Sequence, residues 1–238
     1  MSNAFIREEM ALGTGALKKL KNAHVIVFGI GGVGSYTVEA LARAGVGRLT
    51  LVDSDTVGLS NINRQLCALH STLGQYKAEA MAARVRDINP ECDVRAICDL
   101  YSEENKELFF HPGADYAYIA DCIDLVSCKL SLILNARERK IPILSALGTG
   151  NKLDPGRFQI TDISKTSGCP LARVIRKELR ARGVEHHTVL FSTEEPITPL
   201  ALEAPPPGRR SIPASVSWVP SVAGLMMAGH IILELTKE

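Results

Sequence analysis

The spacing of apolar residues changes along the chain, and each change marks an element. His24-Val25-Ile26-Val27-Phe28 is a nearly unbroken apolar run that stops at Gly29. A short run of this kind, bounded by glycine, predicts a strand buried on both faces. From Gly34 to Gly45 the apolar residues recur at helical spacing, so a tight turn and a helix follow at once. Residues 5–21 carry Leu12, Leu17 and Leu20 on one stripe and predict a single N-terminal helix, with Arg7, Glu8 and Glu9 near its start.

Downstream, Arg48–Val52 is a second apolar run ending at Asp53, and a polar stretch from Ser54 to Gln65 reads as a loop. A helix opens near Lys77 with Ala78, Met81, Ala82, Val85 and Ile88 inward, and Asn89-Pro90 ends it. Strands at Val94–Cys98, Tyr116–Ala120 and Ile141–Ala146 alternate with a short helix ending near Phe110 and a longer one over Leu125–Lys140. This alternation predicts an α/β fold, a mainly parallel sheet with helices on both faces. From Gly148 the rhythm shifts to turns, a strand at Phe158–Ile163, a helix at Pro170–Arg182, a strand at Thr188–Ser192 and a proline-rich loop over 193–214. The second half reads as antiparallel additions to the same mixed sheet, and the whole as one domain, residues 1–238.

Composition narrows the field. Net charge is only +1, so there is no overall pull toward nucleic acid or membrane and any basic patch must be local. None of the six cysteines forms a C-x-x-C pair, which argues against a zinc ribbon or a thioredoxin-type couple. With no signal-peptide pattern at the start, the thiols suggest a reducing cytoplasm. Val216–Leu235 contains only His230 and Glu234 as ionisable residues and is long enough to span a bilayer. Serines, Pro220 and two glycines dilute it, so a buried terminal helix is favoured over membrane contact. His186-His187, with no further ligands nearby in sequence, reads as a polar pair facing solvent.

Gly29, Gly31 and Gly34 fit G-x-G-x-x-G, with Gly32 inside the same loop. Such a loop turns tightly, lets a phosphate approach the backbone and allows close helix–strand packing. Asp53 stands where a carboxylate would accept hydrogen bonds from a ribose. These features predict a Rossmann-like nucleotide site and leave NAD and ATP both open. The polar loop decides between them. Asp53, Asn61, Asn63, Arg64, Gln65, Lys77, Asp121 and Asp124 would gather at the carboxyl ends of parallel strands. Arg64 and Lys77 suit a triphosphate, and Asp124 beside phosphates suits Mg²⁺.

Together these residues resemble the ThiF/MoeB superfamily of adenylating enzymes. The motifs are Gly29-Ile-Gly-Gly-Val-Gly34, Asp53-x-Asp55, Ser60-Asn-x-Asn-Arg-Gln65, Lys77 and Asp121-x-x-Asp124, all within the first 150 residues. The resemblance implies a homodimer and a reaction in which a carboxylate attacks the α-phosphate of ATP, releasing pyrophosphate. It gives Asp53 the ribose, Asn61, Arg64 and Lys77 the phosphates, and Asp124 the metal or the reaction geometry. It makes Arg7 the residue inserted into the partner's site.

The second half is similar to the subfamily of tRNA threonylcarbamoyladenosine dehydratases, a likeness that extends over nearly the whole chain. Gly148-x-Gly150, Leu153-Asp154-Pro155, Gln159–Thr166, Cys169-Pro-Leu-Ala172, Phe191–Glu194 and Ser221-x-x-Gly224 carry this likeness. It implies a tRNA-facing second half and ATP-driven cyclisation of the modified nucleoside, with loss of water. The outer side of the 170–182 helix presents Arg173, Arg176, Lys177, Arg180 and Arg182, with Leu171, Val174, Ile175 and Leu179 expected inward. That face would neutralise phosphates, and Arg209-Arg210 is a weaker second patch. The alternative is activation of the C-terminal glycine of a ubiquitin-like sulfur carrier, which would bring a sulfur-transfer protein partner. The missing zinc cysteines count against it. Where some relatives carry a cysteine before the terminal segment, this chain reads Arg210-Ser-Ile-Pro-Ala-Ser215. Cys169, at a helix start, is the only thiol in the second half and is expected to be incidental.

Overall fold

The computed structural model describes residues 4–202 and 212–237. In chain order the elements are α1 (Ile6–Leu12), α2 (Thr14–Asn22), β1 (His24–Phe28), α3 (Gly34–Arg43), β2 (Arg48–Val52), α4 (Lys77–Ile88) and β3 (Asp93–Ile97). Next come α5 (Lys106–Phe109), β4 (Tyr118–Asp121), α6 (Val126–Glu138), β5 (Ile143–Ala146), β6 (Phe158–Asp162), α7 (Pro170–Ala181), β7 (Thr188–Ser192) and α8 (Trp218–Thr236). The single N-terminal helix expected over 5–21 is two helices. Gly13 separates them at φ 86°, a conformation that favours glycine.

Seven strands form one sheet in the order β3-β2-β1-β4-β5-β7-β6. Every pairing is parallel except β6 with β7. The fold is therefore Rossmann-like α/β, with one antiparallel edge. The plural "additions" expected in the second half reduce to β6, because β7 joins β5 in parallel.

Strand β1 shows why the sequence needs two cores. Val25 and Val27 pack into the cluster under α3, α4 and α8, whereas Ile26 and Phe28 pack into the one under α6 and α7. Side chains alternate across a strand, so a strand covered on both faces is apolar throughout. On the second face Phe28 meets Tyr101 and Phe109 edge-on, with ring centroids 5.0 and 5.5 Å apart. On the first, α8 lies against α3, where a Cβ on Gly224 would stand 2.3 Å from the carbonyl oxygen of Val33. Thr37 Oγ1 donates to the Gly224 carbonyl at 3.2 Å and fixes the crossing. By length and composition α8 could cross a membrane. One side of it instead fills the core through Val219, Ala223, Met227 and Ile231, and Trp218, Leu225 and Leu233 are exposed on its other side.

Two expectations about side-chain direction are corrected. Val174 is 44% exposed, and Ala172 takes the inward position on α7. His187 is buried and does not belong to the surface; its Nε2 lies 2.8 Å from Ser145 Oγ on the neighbouring strand. Burial pushes its pKa down to about 3, with Lys129 and Arg137 adding to the effect. Folded His187 therefore stays neutral where an unfolded histidine, with a pKa near 6.5, takes up a proton. Stability must fall as pH drops from about 6.5 toward about 3, by up to about 1.4 kcal/mol per pH unit from this group. Urea unfolding of wild type and His187→Gln between about pH 5 and about pH 7 checks this, since the variant should have the shallower slope. Equal slopes would refute it.

Candidate functional site

The strand order reverses between β1 and β4, and a cleft of about 670 Å³ opens there at the carboxyl ends of the parallel strands. Gly29 takes φ +85°, and a Cβ on it would lie 2.8 Å from the carbonyl oxygen of Cys122. A Cβ on Gly34 would lie 1.8 Å from the carbonyl oxygen of Gly29. These two glycines make the turn and let α3 approach β1. Gly31 and Gly32 line the cleft itself, and their N–H groups have no acceptor among the described residues.

Asp53 ties this loop to β2. Its Oδ2 accepts from the Ile30 N–H at 2.6 Å and its Oδ1 from the Asp55 N–H at 2.8 Å. Burial raises its pKa against the pull of those two donors and of Lys77. A carboxylate held at both oxygens still has lone pairs to offer a hydroxyl in the cleft.

Two cations, Arg64 and Lys77, line the same cleft. Arg64 is partly buried, and its Nη1 donates to Ser60 O and to Asn63 Oδ1, both at 2.9 Å. Lys77 begins α4 with only 7% of its side chain exposed, and its Nζ is 2.7 Å from Oδ2 of the solvated Asp55. Asn61 lines the cleft while its Oδ1 accepts from the Gly58 N–H, and Gln65 is buried beside it. Below them burial pushes the Cys67 thiol up to about 11, so it is a packing group here.

Two expected ligand residues, Asn63 and Asp121, stand elsewhere. Asn63 is exposed and outside the cleft lining; its amide holds Arg64 and donates to the Ser215 carbonyl at 3.0 Å. Asp121 is fully buried, paired with Lys129 Nζ at 2.7 Å, and its Oδ1 accepts from the Ile123 N–H. It therefore shapes the loop that presents Asp124 and does not face the cleft. Asp124 is exposed at the rim. Arg7 is exposed on α1 and does not line the cleft of its own chain. The Arg209-Arg210 patch lies outside the described residues.

The remaining wall is built by Leu147–Gly150 after β5, Leu171 of α7, and Pro213, Ala214 and Ser215 ahead of α8. Cys169 is buried and caps α7, its Sγ accepting from the Ala172 N–H at 3.5 Å. Lys129 escaped notice in the sequence. A lysine within the apolar 125–140 run, eight residues after an aspartate ending a strand, is the signal that could have found it. No group of three or more His, Cys, Asp or Glu side chains among the described residues could hold a metal by itself.

The cleft can hold a polyanionic nucleotide. It offers loop N–H groups with no acceptor among the described residues, two cations and a rim carboxylate. The ThiF family profile matches residues 5–238. Among curated proteins, the tRNA threonylcarbamoyladenosine dehydratase of Bacillus subtilis (strain 168) is 47% identical, covering 100% of this chain and 96% of that protein. That of Escherichia coli (strain K12) is 42% identical over 79% of this chain and 72% of its own. A crystal structure of the E. coli enzyme in complex with ATP superposes with a TM-score of 0.87 at 35% identity, covering 98% of this chain and 93% of the other.

The Asp121–Lys129 pair yields a test of its own. Removing one member strands a charge with no solvent, so Lys129→Met should cost about 3–5 kcal/mol of stability. Adding Asp121→Asn should restore much of that, as measured by urea denaturation. A single variant as stable as wild type would refute the pair's structural role.

Proposed function

The chain belongs to the ThiF family, and from that premise we propose that it is an ATP-dependent dehydratase of threonylcarbamoyladenosine in tRNA. The observation that carries the reading is the meeting of Arg64 and Lys77 with Asp124 over a glycine floor, in a chain similar along its full length to such a dehydratase. A carboxylate is a poor electrophile until one oxygen becomes a good leaving group. Attack of the nucleoside's carboxylate on the α-phosphorus of ATP supplies that, expelling pyrophosphate and leaving an acyl-adenylate. A nucleophile of the same side chain then closes the ring and AMP leaves, carrying away the carboxylate oxygen; the nucleoside is short by one water.

Each residue takes a role its placement supports. Gly31 and Gly32 receive phosphate oxygens on backbone N–H groups. Arg64 and Lys77 neutralise charge on the phosphates, Asn61 assists them, and Asp53 accepts from the ribose. Asp124, with Asp55 near Lys77, is the acidic group available to Mg²⁺, which would take its other ligands from phosphate and water. A second copy of the chain supplies Arg7 in a homodimer. The first 150 residues serve the nucleotide and residues 151–238 the acceptor, as one unit. Cys67, Cys92, Cys128 and Cys169 are buried and Cys98 and Cys122 are half-buried. All six are free, which fits a reducing cytoplasm.

The tRNA lies along α7. Arg176 donates to the Thr166 carbonyl and hydroxyl, and Arg182 pairs with Glu178, so both are engaged within the protein. Arg173, Lys177 and Arg180 are exposed with no ion-pair partner among the described residues. Their i, i+4, i+7 spacing gives a single face, leading away from Leu171 at the cleft wall.

Incubation with Mg-ATP and modified tRNA should release AMP and lower the nucleoside mass by one water. Lys77→Ala and Asp124→Ala should each abolish this, and AMP release only with a sulfur-carrier protein would sink the reading. Replacing Arg173, Lys177 and Arg180 by Gln should weaken tRNA binding and lower the slope of log K against log salt by about two to three, with ATP affinity unchanged. An unaltered slope would place the tRNA elsewhere.

A further inference from the structure

The segment before α8 crosses the cleft from one half to the other. Pro213, Ala214 and Ser215 line it without regular secondary structure. On the acceptor side Asn151 holds this strap twice. Its N–H donates to the Ala214 carbonyl at 2.8 Å, and its Oδ1 accepts from the Ala214 N–H at 2.7 Å. Asn151 does so from the left-handed region, φ 59°, where asparagine and aspartate are tolerated far better than other side chains. Its carbonyl accepts from the Ile197 N–H, so one residue fastens two separate segments. Next to it Gly150 sits so close that a Cβ would lie 2.9 Å from Pro213 Cβ.

On the nucleotide side the strap is held by Asn63, whose Nδ2 donates to the Ser215 carbonyl while its Oδ1 receives Arg64. Five residues on, Pro220 packs over the glycine floor, where a Cβ on Gly32 would lie 3.0 Å from its Cβ. The strap is thus tied to the rim after β5, to the arginine of the cleft and to the glycine loop.

We propose that Asn151 and Asn63 are positioning residues that set the 213–215 strap as the wall confining the acceptor's carboxylate beside Arg64. This rests on the reading of the cleft as an adenylation site for that carboxylate. Neither asparagine has a titratable group or meets the reacting atoms; each acts through the backbone it holds. The two halves of the site should then separate in experiment. A strap set wrongly impairs capture of the acceptor and leaves nucleotide binding intact.

Asn151→Gly keeps the backbone conformation and removes the Oδ1 acceptor, whereas Asn151→Asp keeps both. Amide hydrogen exchange across 212–217 in Asn151→Gly should be about tenfold faster than in wild type, reflecting one lost hydrogen bond. Its kcat/KM for modified tRNA should fall about tenfold while its Kd for ATP changes by less than about twofold, and Asn151→Asp should restore both exchange and turnover. Unchanged exchange in Asn151→Gly would overturn the proposal. So would wild-type kcat/KM for tRNA, or equal losses of ATP affinity and tRNA turnover. If wild type itself converts no modified tRNA, the dehydratase reading fails, and exchange at 212–217 still decides whether Asn151 holds the strap.

Discussion

The molecule depends on a backbone-to-backbone contact with no side chain in it. The first residue of α3, Gly34, rests on the carbonyl of Gly29, and Gly29 rests on the carbonyl of Cys122 just after β4. The end of β1, the end of β4 and the start of α3 therefore share one point, which is where the strand order reverses. The ends are also in register, Phe28 with Val52 on one side and with Asp121 on the other. Neighbouring chains fasten the point further. Asp53 grips the loop from β2, and Asp121 with Lys129 grips the turn after β4. A cleft floor built from backbone in this way has little freedom to rearrange, and it brings N–H groups within reach of a ligand where side chains would intervene.

Two lysine–aspartate pairs at the same distance of 2.7 Å do different work, and burial separates them. In the Lys129–Asp121 pair both side chains are wholly buried, so neither partner can be exchanged without leaving an uncompensated charge. In the Lys77–Asp55 pair the ammonium is nearly buried and the carboxylate is 69% exposed. A solvated carboxylate binds its partner weakly. An incoming phosphate can therefore take the ammonium, while Asp55 returns to water at small cost. The arrangement keeps Lys77 aimed without committing it. Arg64 is treated similarly, since its two protein acceptors leave most of the guanidinium fork for a ligand.

The sequence was most legible where structure depends on neighbours along the chain. The glycine loop, the strand–helix alternation and the placement of Arg64 and Lys77 all follow from local spacing, and all three stand at the cleft or frame it. Legibility was lost where the deciding partner was distant. Lys129, eight residues after Asp121, was a sequence signal left unread, whereas nothing near His187 says that Ser145 will draw it into the core. Asn63 stood in a ligand motif, yet its amide is shared between Arg64 and a carbonyl 152 residues away. Helix faces were right in outline and wrong in detail: on α7 Val174 is exposed and Ala172 is buried. Gly13 was a local signal that a continuous leucine stripe concealed.

The cysteines bear on how the proposed reaction finishes. Burial lifts the thiols of Cys67 and Cys122 to about 11 and about 12, and Cys169 is buried as a helix cap. The strap residues Pro213–Ser215, which stand at the cleft, carry no thiol. No cysteine among the described residues is thus poised to take an acyl group from an adenylate. Transfer to a partner through a thioester would need such a group; ring closure within the substrate does not. Two groups on one side chain react with effective molarities of about 10⁵–10⁸ M when well oriented. Under that advantage the protein has to exclude water and hold the side chain folded until closure. A glycine floor, two cations and a strap pinned from both walls are suited to that task.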